Sequence, residues 1–168
     1  ASDNTAVGKH SLRLNTTGAS NTAVGKDSLG ANTTGADNIA IGSGALVANT
    51  TGGDNVAIGR NALDANTTAS SNTAVGHVAL GANTTGTRNT AVGAVALDAL
   101  TTENDNTAIG YSALSSEVSG FRNTAVGSGA GANQNGGTNN ALLGYNAGSD
   151  ITTGDANTFI GSDCGDAT

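Results

Sequence analysis

His10, His77 and Cys164 are the residues of the types that most readily serve as base or nucleophile, so proton transfer or nucleophilic chemistry would have to start from them. A nucleophile needs a base within reach and a third group to orient that base. The two histidines fall at non-equivalent positions of a repeat, and Cys164 stands where other copies have Ser11, Ser28 or Ala. No such set converges, so no enzyme is expected, and Cys164 reads as a small buried hydrophobe. Asp-Asn pairs such as Asp54-Asn55 match neither the EF-hand loop nor the calcium-binding nonapeptide, and read as turn formers. Neither metal nor cofactor is expected.

Asn15, Asn32, Asn49, Asn66 and Asn83 each open an Asn-Thr-Thr sequon and are candidate N-glycan acceptors that stacking would set in one row. The same triplets make a rank of Thr at 16, 33, 50, 67, 84 and 101, and a second at 17, 34, 51, 68, 85 and 102. A regular Thr array on a solenoid is the geometry of ice-binding proteins. Adjacent strand residues point to opposite faces, however, so the two ranks share a surface only if the backbone turns there.

What positions these residues is an internal period. Asn recurs at Asn4, Asn21, Asn38, Asn55, Asn72, Asn89, Asn106, Asn123, Asn140 and Asn157, every 17 residues without an insertion. Four residues after each comes a glycine, namely Gly8, Gly25, Gly42, Gly59, Gly76, Gly93, Gly110, Gly127, Gly144 and Gly161. Counting the Asn as slot 1, the copy reads NTAVG, two variable residues, a small residue and Leu, a variable residue, then ANTTG and two more variable residues. An unbroken period places every copy in the same environment, which is the condition for stacking along one axis. Seventeen residues are too few for two helices and a turn, while Thr-Ala-Val and Thr-Ala-Ile favour strand. The expectation is a single all-β domain over 1–168: a parallel β-solenoid, or β-roll, of ten 17-residue coils. Each coil would hold a strand at NTAV, a Gly turn, a second strand around Ala-Leu and a turn at NTTG. At about 4.7–4.9 Å per parallel strand, the ten coils make a rod about 48 Å long. The repeated Asn is read as a stacked hydrogen-bonding ladder and the Gly as a sharp turn with positive φ.

Slot 4 is always Val, Ile or Leu and is expected to point inward. Slot 3 is Ala from Ala6 to Ala125, then Leu142 and Phe159, and is expected to be covered by the other half of the coil or by another chain. Slot 9 is Leu from Leu12 to Leu114, then Gly131, Gly148 and Gly165. Slot 3 enlarges one coil after slot 9 shrinks, as close packing demands if the two touch.

Composition narrows the classes further. The 168 residues include 26 Gly, no Pro, no Met, no Trp and only two Tyr and two Phe, so the core must be thin. A formal charge of −7 leaves no footprint for nucleic acid or anionic membrane, and no apolar stretch is long enough to insert in a bilayer. Beginning at Ala1, the chain reads as a processed or excised segment, and its uncapped ends are expected to dock on further copies.

The motifs DNTAVG, DNIAIG and DNVAIG resemble the head repeats of YadA-type trimeric autotransporter adhesins, and the longer consensus with NTTG resembles repeat arrays of phage tail fibres and bacterial surface proteins. The resemblance implies a left-handed parallel β-roll, an extracellular, cell-surface or virion-surface fibre, and homotrimers. It also implies glycans or a host surface receptor as partners. The expected function is a structural fibre or filament subunit that associates with itself through its ends or its Ala-rich face, as an adhesin or tail-fibre shaft; the alternative is ice binding through the Thr ranks.

Overall fold

The computed structural model describes residues 1–165; Asp166 to Thr168, which the period assigns to the tenth coil, lie outside the described residues. Each coil contributes one three-residue strand: β1 (Thr5–Val7), β2 (Thr22–Val24), β3 (Ile39–Ile41), β4 (Val56–Ile58), β5 (Thr73–Val75), β6 (Thr90–Val92), β7 (Thr107–Ile109), β8 (Thr124–Val126), β9 (Ala141–Leu143) and β10 (Thr158–Ile160). They form one parallel ten-stranded sheet in sequence order. Its register advances by one period per strand: Thr5 pairs with Thr22, Ala6 with Ala23 and Val7 with Val24, and so on to Phe159 beside Leu142. The fold is a parallel β-solenoid of stacked coils.

The expected second strand is absent among the described residues. Slot 9 explains why: Leu12, Leu29, Leu46, Leu63, Leu80, Leu97 and Leu114 all have φ between 48° and 52°, the left-handed region, so the chain turns where an extended segment was expected. The Ala-Leu arc is still joined to its neighbours, because Leu29 N donates to Ala45 O at 3.0 Å and Leu46 N to Ala62 O at 3.0 Å. The turn is closed within the coil by Asn32 N donating to Leu29 O at 3.2 Å. Bent backbone can therefore stack as tightly as a strand, provided that every coil bends alike.

The slot assignments of the strand also change. Slot 3 points inward: Ala23, Ala40, Ala57, Ala74, Ala91, Ala108 and Ala125 are fully buried. Slot 4 points outward, and Val7, Ile41, Ile58, Ile109, Leu143 and Ile160 are exposed. The interior is thin, with the slot 3 Ala facing the slot 8 Ala and slot 9 Leu of the same core. Strand alternation then forces the bulky slot 4 to the outside. An Ala-rich face for association does not exist, since those side chains are the core.

The size exchange is a real contact. A Cβ built on Gly131 would lie 2.7 Å from Leu142 Cδ1, and one on Gly148 would lie 2.9 Å from Leu142 Cδ2 and 3.4 Å from Phe159 Cδ2. Leu142 and Phe159 thus occupy room that a slot 9 Leu fills elsewhere.

Candidate functional site

The residues with chemical potential are spread along the rod. His10 Nδ1 lies 3.0 Å from Asp27 Oδ1, and Asp27 Oδ2 lies 3.6 Å from Lys26 Nζ, all at an exposed surface. His77 Nε2 is 2.7 Å from an Arg60 guanidinium nitrogen. Cys164 Sγ donates to Gly161 O at 3.1 Å and packs partly against the core. Each of the three has a local partner in its own or an adjacent coil, and they are not brought together. Among the described residues, no group of three or more His, Cys, Asp or Glu is placed to hold a metal ion, and no helix is long and apolar enough to cross a membrane.

Two columns of asparagine occupy the polar half of the interior. In slot 1, Asn21 N donates to Asn4 Oδ1 at 2.9 Å and Asn21 Nδ2 donates to Gly35 O at 2.9 Å. This arrangement continues through Asn157, whose N donates to Asn140 Oδ1 at 2.8 Å. The second column is the sequon Asn of slot 12. Asn32 Nδ2 donates to Asn15 Oδ1 and to Gly35 O, both at 2.9 Å, and Asn49 repeats this with Asn32 and Gly52. In coils 1 to 5 each slot 15 carbonyl, such as that of Gly35, therefore receives two amide donors, one from each column.

This geometry corrects the reading of the sequons. Asn32, Asn49, Asn66 and Asn83 are fully buried, and Asn15 is half-buried. Their amides point into the rod, where no glycan fits. The Thr ranks are corrected too. Thr33 Oγ1 donates to Thr50 O at 2.9 Å and Thr50 Oγ1 to Thr67 O at 3.0 Å, so the first rank spends its hydroxyls on the neighbouring coil. The second rank, including Thr34, Thr51 and Thr68, is exposed at a bend.

The slot 12 column ends at Leu100, followed by Glu117, Gln134 and Ile151. Glu117 Oε1 accepts from Gly120 N at 2.6 Å and Gly136 N at 2.7 Å, while Gln134 Nε2 donates to Gly137 O at 3.1 Å, as an Asn would. Four buried oxygens lack a partner around the break and beside it: Asn83 Oδ1, Asp98 Oδ1, Glu117 Oε2 and Gln134 Oε1. Burial pushes the Asp64 and Asp98 carboxyls up from their ordinary value. Asp105 moves the other way, because Arg88 Nε donates to it at 2.6 Å and favours its charged form.

The feature that sequence reasoning missed is the outward sheet face. Slots 2 and 4 present Thr or an aliphatic residue in every coil, with no charge in any of them: Thr22 and Val24, Ile39 and Ile41, Val56 and Ile58, Thr73 and Val75. The signal was available in the slot 3 Ala, whose small size suits the crowded side of a strand.

The fold and its interior define the chain as a tandem-repeat β-solenoid protein. Comparison with family models, with curated proteins and with solved structures returned no match.

Proposed function

We propose that the chain is a rod-forming segment of an extracellular structural fibre, on a cell or virion surface, and that its copies associate with one another. The observation that carries this reading is the continuity of the polar interior. Slot 1 is bonded from coil to coil along all ten copies, through Asn157 N donating to Asn140 Oδ1 at 2.8 Å, so adding coils adds length without a new core. A protein that grows in one dimension is suited to spanning distance. The likeness of NTAVG to adhesin-head and tail-fibre repeats supports the same setting. Labelling the native source with antibody under the electron microscope tests it: decorated surface fibres are expected, and label confined to the cell interior would overturn it.

Ice binding remains as a second reading, moved to another face. Slot 2 of the exposed sheet carries Thr5, Thr22, Thr73, Thr90, Thr107, Thr124 and Thr158 beside slot 4 aliphatics, a more ordered array than the bend. Thermal hysteresis in concentrated solution would favour it, and its absence would remove it.

A further inference from the structure

We propose that the outward face of the ten-stranded sheet is a seam on which a second copy of this chain packs face to face, with the two rods parallel and their coils level. This rests on the fibre reading only for its biological setting, since the pairing itself is a property of the isolated chain.

Ten strands at about 4.8 Å and a width of about 10 Å give on the order of 500 Å² per copy and 1,000 Å² in all, the lower bound for a specific protein interface. The face is uncharged throughout and exposes Ile41, Ile58 and Ile109 among its Thr, and its area is at the upper end of the largest patch, about 300–600 Å², that a monomer ordinarily leaves in water. Every strand lies in register with the next, so the side-chain ranks run straight and can mesh with a copy of themselves.

Charge at the edges of the face selects the orientation. The face is bordered on one long edge by slot 17 and on the other by slot 6. A two-fold axis along the rod lays slot 17 of one copy against slot 6 of the other at the same height. At β1 this sets Asp3 against Lys9, and at β4 it sets Asp54 against Arg60, each twice by symmetry. At none of the ten strands do the two edges carry like charges. The antiparallel arrangement instead lays coil against reversed coil, setting Asp54 against Asp105 and Asp37 against Arg122, one repulsive and one attractive pair that offset each other, whereas the parallel arrangement has only attractive pairs.

Sedimentation equilibrium of the wild-type chain is expected to show a dimer with a dissociation constant on the order of micromolar. Asp54→Arg alone sets Arg against Arg60, and Arg60→Asp alone sets Asp against Asp54, so each is expected to weaken pairing on the order of tenfold at low salt. Mixing the two single variants places opposite charges across the seam again, and should restore the affinity as a heterodimer. Both residues are exposed, and an unchanged circular dichroism spectrum checks the fold. A wild-type chain that stays monomeric at several hundred micromolar would overturn the seam. Tighter pairing by Asp54→Arg would overturn the parallel orientation, as would failure of the mixture to recover. A monomeric chain would remove the seam together with self-association, whereas dimers whose charge variants behave otherwise would remove the parallel seam alone; neither result bears on the surface location, which the antibody labelling tests separately.

Discussion

At the scale of single residues, the interior is governed by hydrogen-bond accounting. Asn55 gives Nδ2 to Ala69 O at 2.9 Å and accepts from Asn72 N at 3.0 Å through Oδ1, all in buried surroundings. Asn55→Ala strands Asn72 N, while Ala69 O keeps the Asn66 Nδ2 donor at 3.1 Å, so at about 1–3 kcal/mol for one buried group left unpaired the variant should lose about 2 kcal/mol, read as a lower urea midpoint. Glycine is required where coils approach most closely. A Cβ on Gly25, at φ 138°, would stand 2.5 Å from Gly42 O, so Gly25→Ala should cost at least about 3 kcal/mol. Gly30→Ala is the control: its slot holds Arg13, Val47 and Asp64 in other coils, and a change within about 0.5 kcal/mol is expected. Gly148→Leu would overfill the space held by Leu142, Ile151 and Phe159, and should lower stability by about 2–3 kcal/mol.

At the scale of the element, the slot 12 column divides the rod in two. From Asn15 to Asn83 each amide bonds the previous one, whereas beyond Leu100 the column changes chemistry at each step and leaves buried oxygens unpaired. Backbone amides of the NTT arcs in coils 2 to 5 should therefore exchange with deuterium roughly tenfold more slowly than the matching arcs of coils 6 to 8. Equal protection would mean that the column contributes little beyond the backbone. Because the same amides are internal, folded protein from a glycosylating host should carry no glycan at Asn32, Asn49, Asn66 or Asn83, and intact mass before and after glycosidase treatment checks this. The sequon is a consequence of the ladder's needs: Asn to bond along the axis, Thr to bond the carbonyl above.

At the scale of the whole molecule, the core is a line, not a centre. Every strand contacts only its sequence neighbours, so stability accumulates coil by coil. Deleting residues 55–71, one full period, should leave a folded rod shorter by about 4.8 Å in small-angle scattering. Deleting only residues 55–63 leaves the coils on either side in step among themselves but breaks the register at the junction, and should split one cooperative unfolding transition into two. The charge of −7 is spread along a long surface, and no large field arises to steer a polyanion.

The period alone determined the stacking, the parallel register and the Gly131–Leu142 and Gly148–Phe159 exchange, because a repeat without insertions admits one way of laying each coil on the last. It could not tell the two sides of the strand apart. Val24 and Ala23 are both apolar and both recur, and only closure of the coil shows that the gap between sheet and opposite arc accepts Ala beside Leu29 but not a branched side chain. The same holds for Asn32, which as a sequon reads as surface. It is internal because the Gly35 carbonyl, turned inward by the bend, needs a second donor in a place water does not reach.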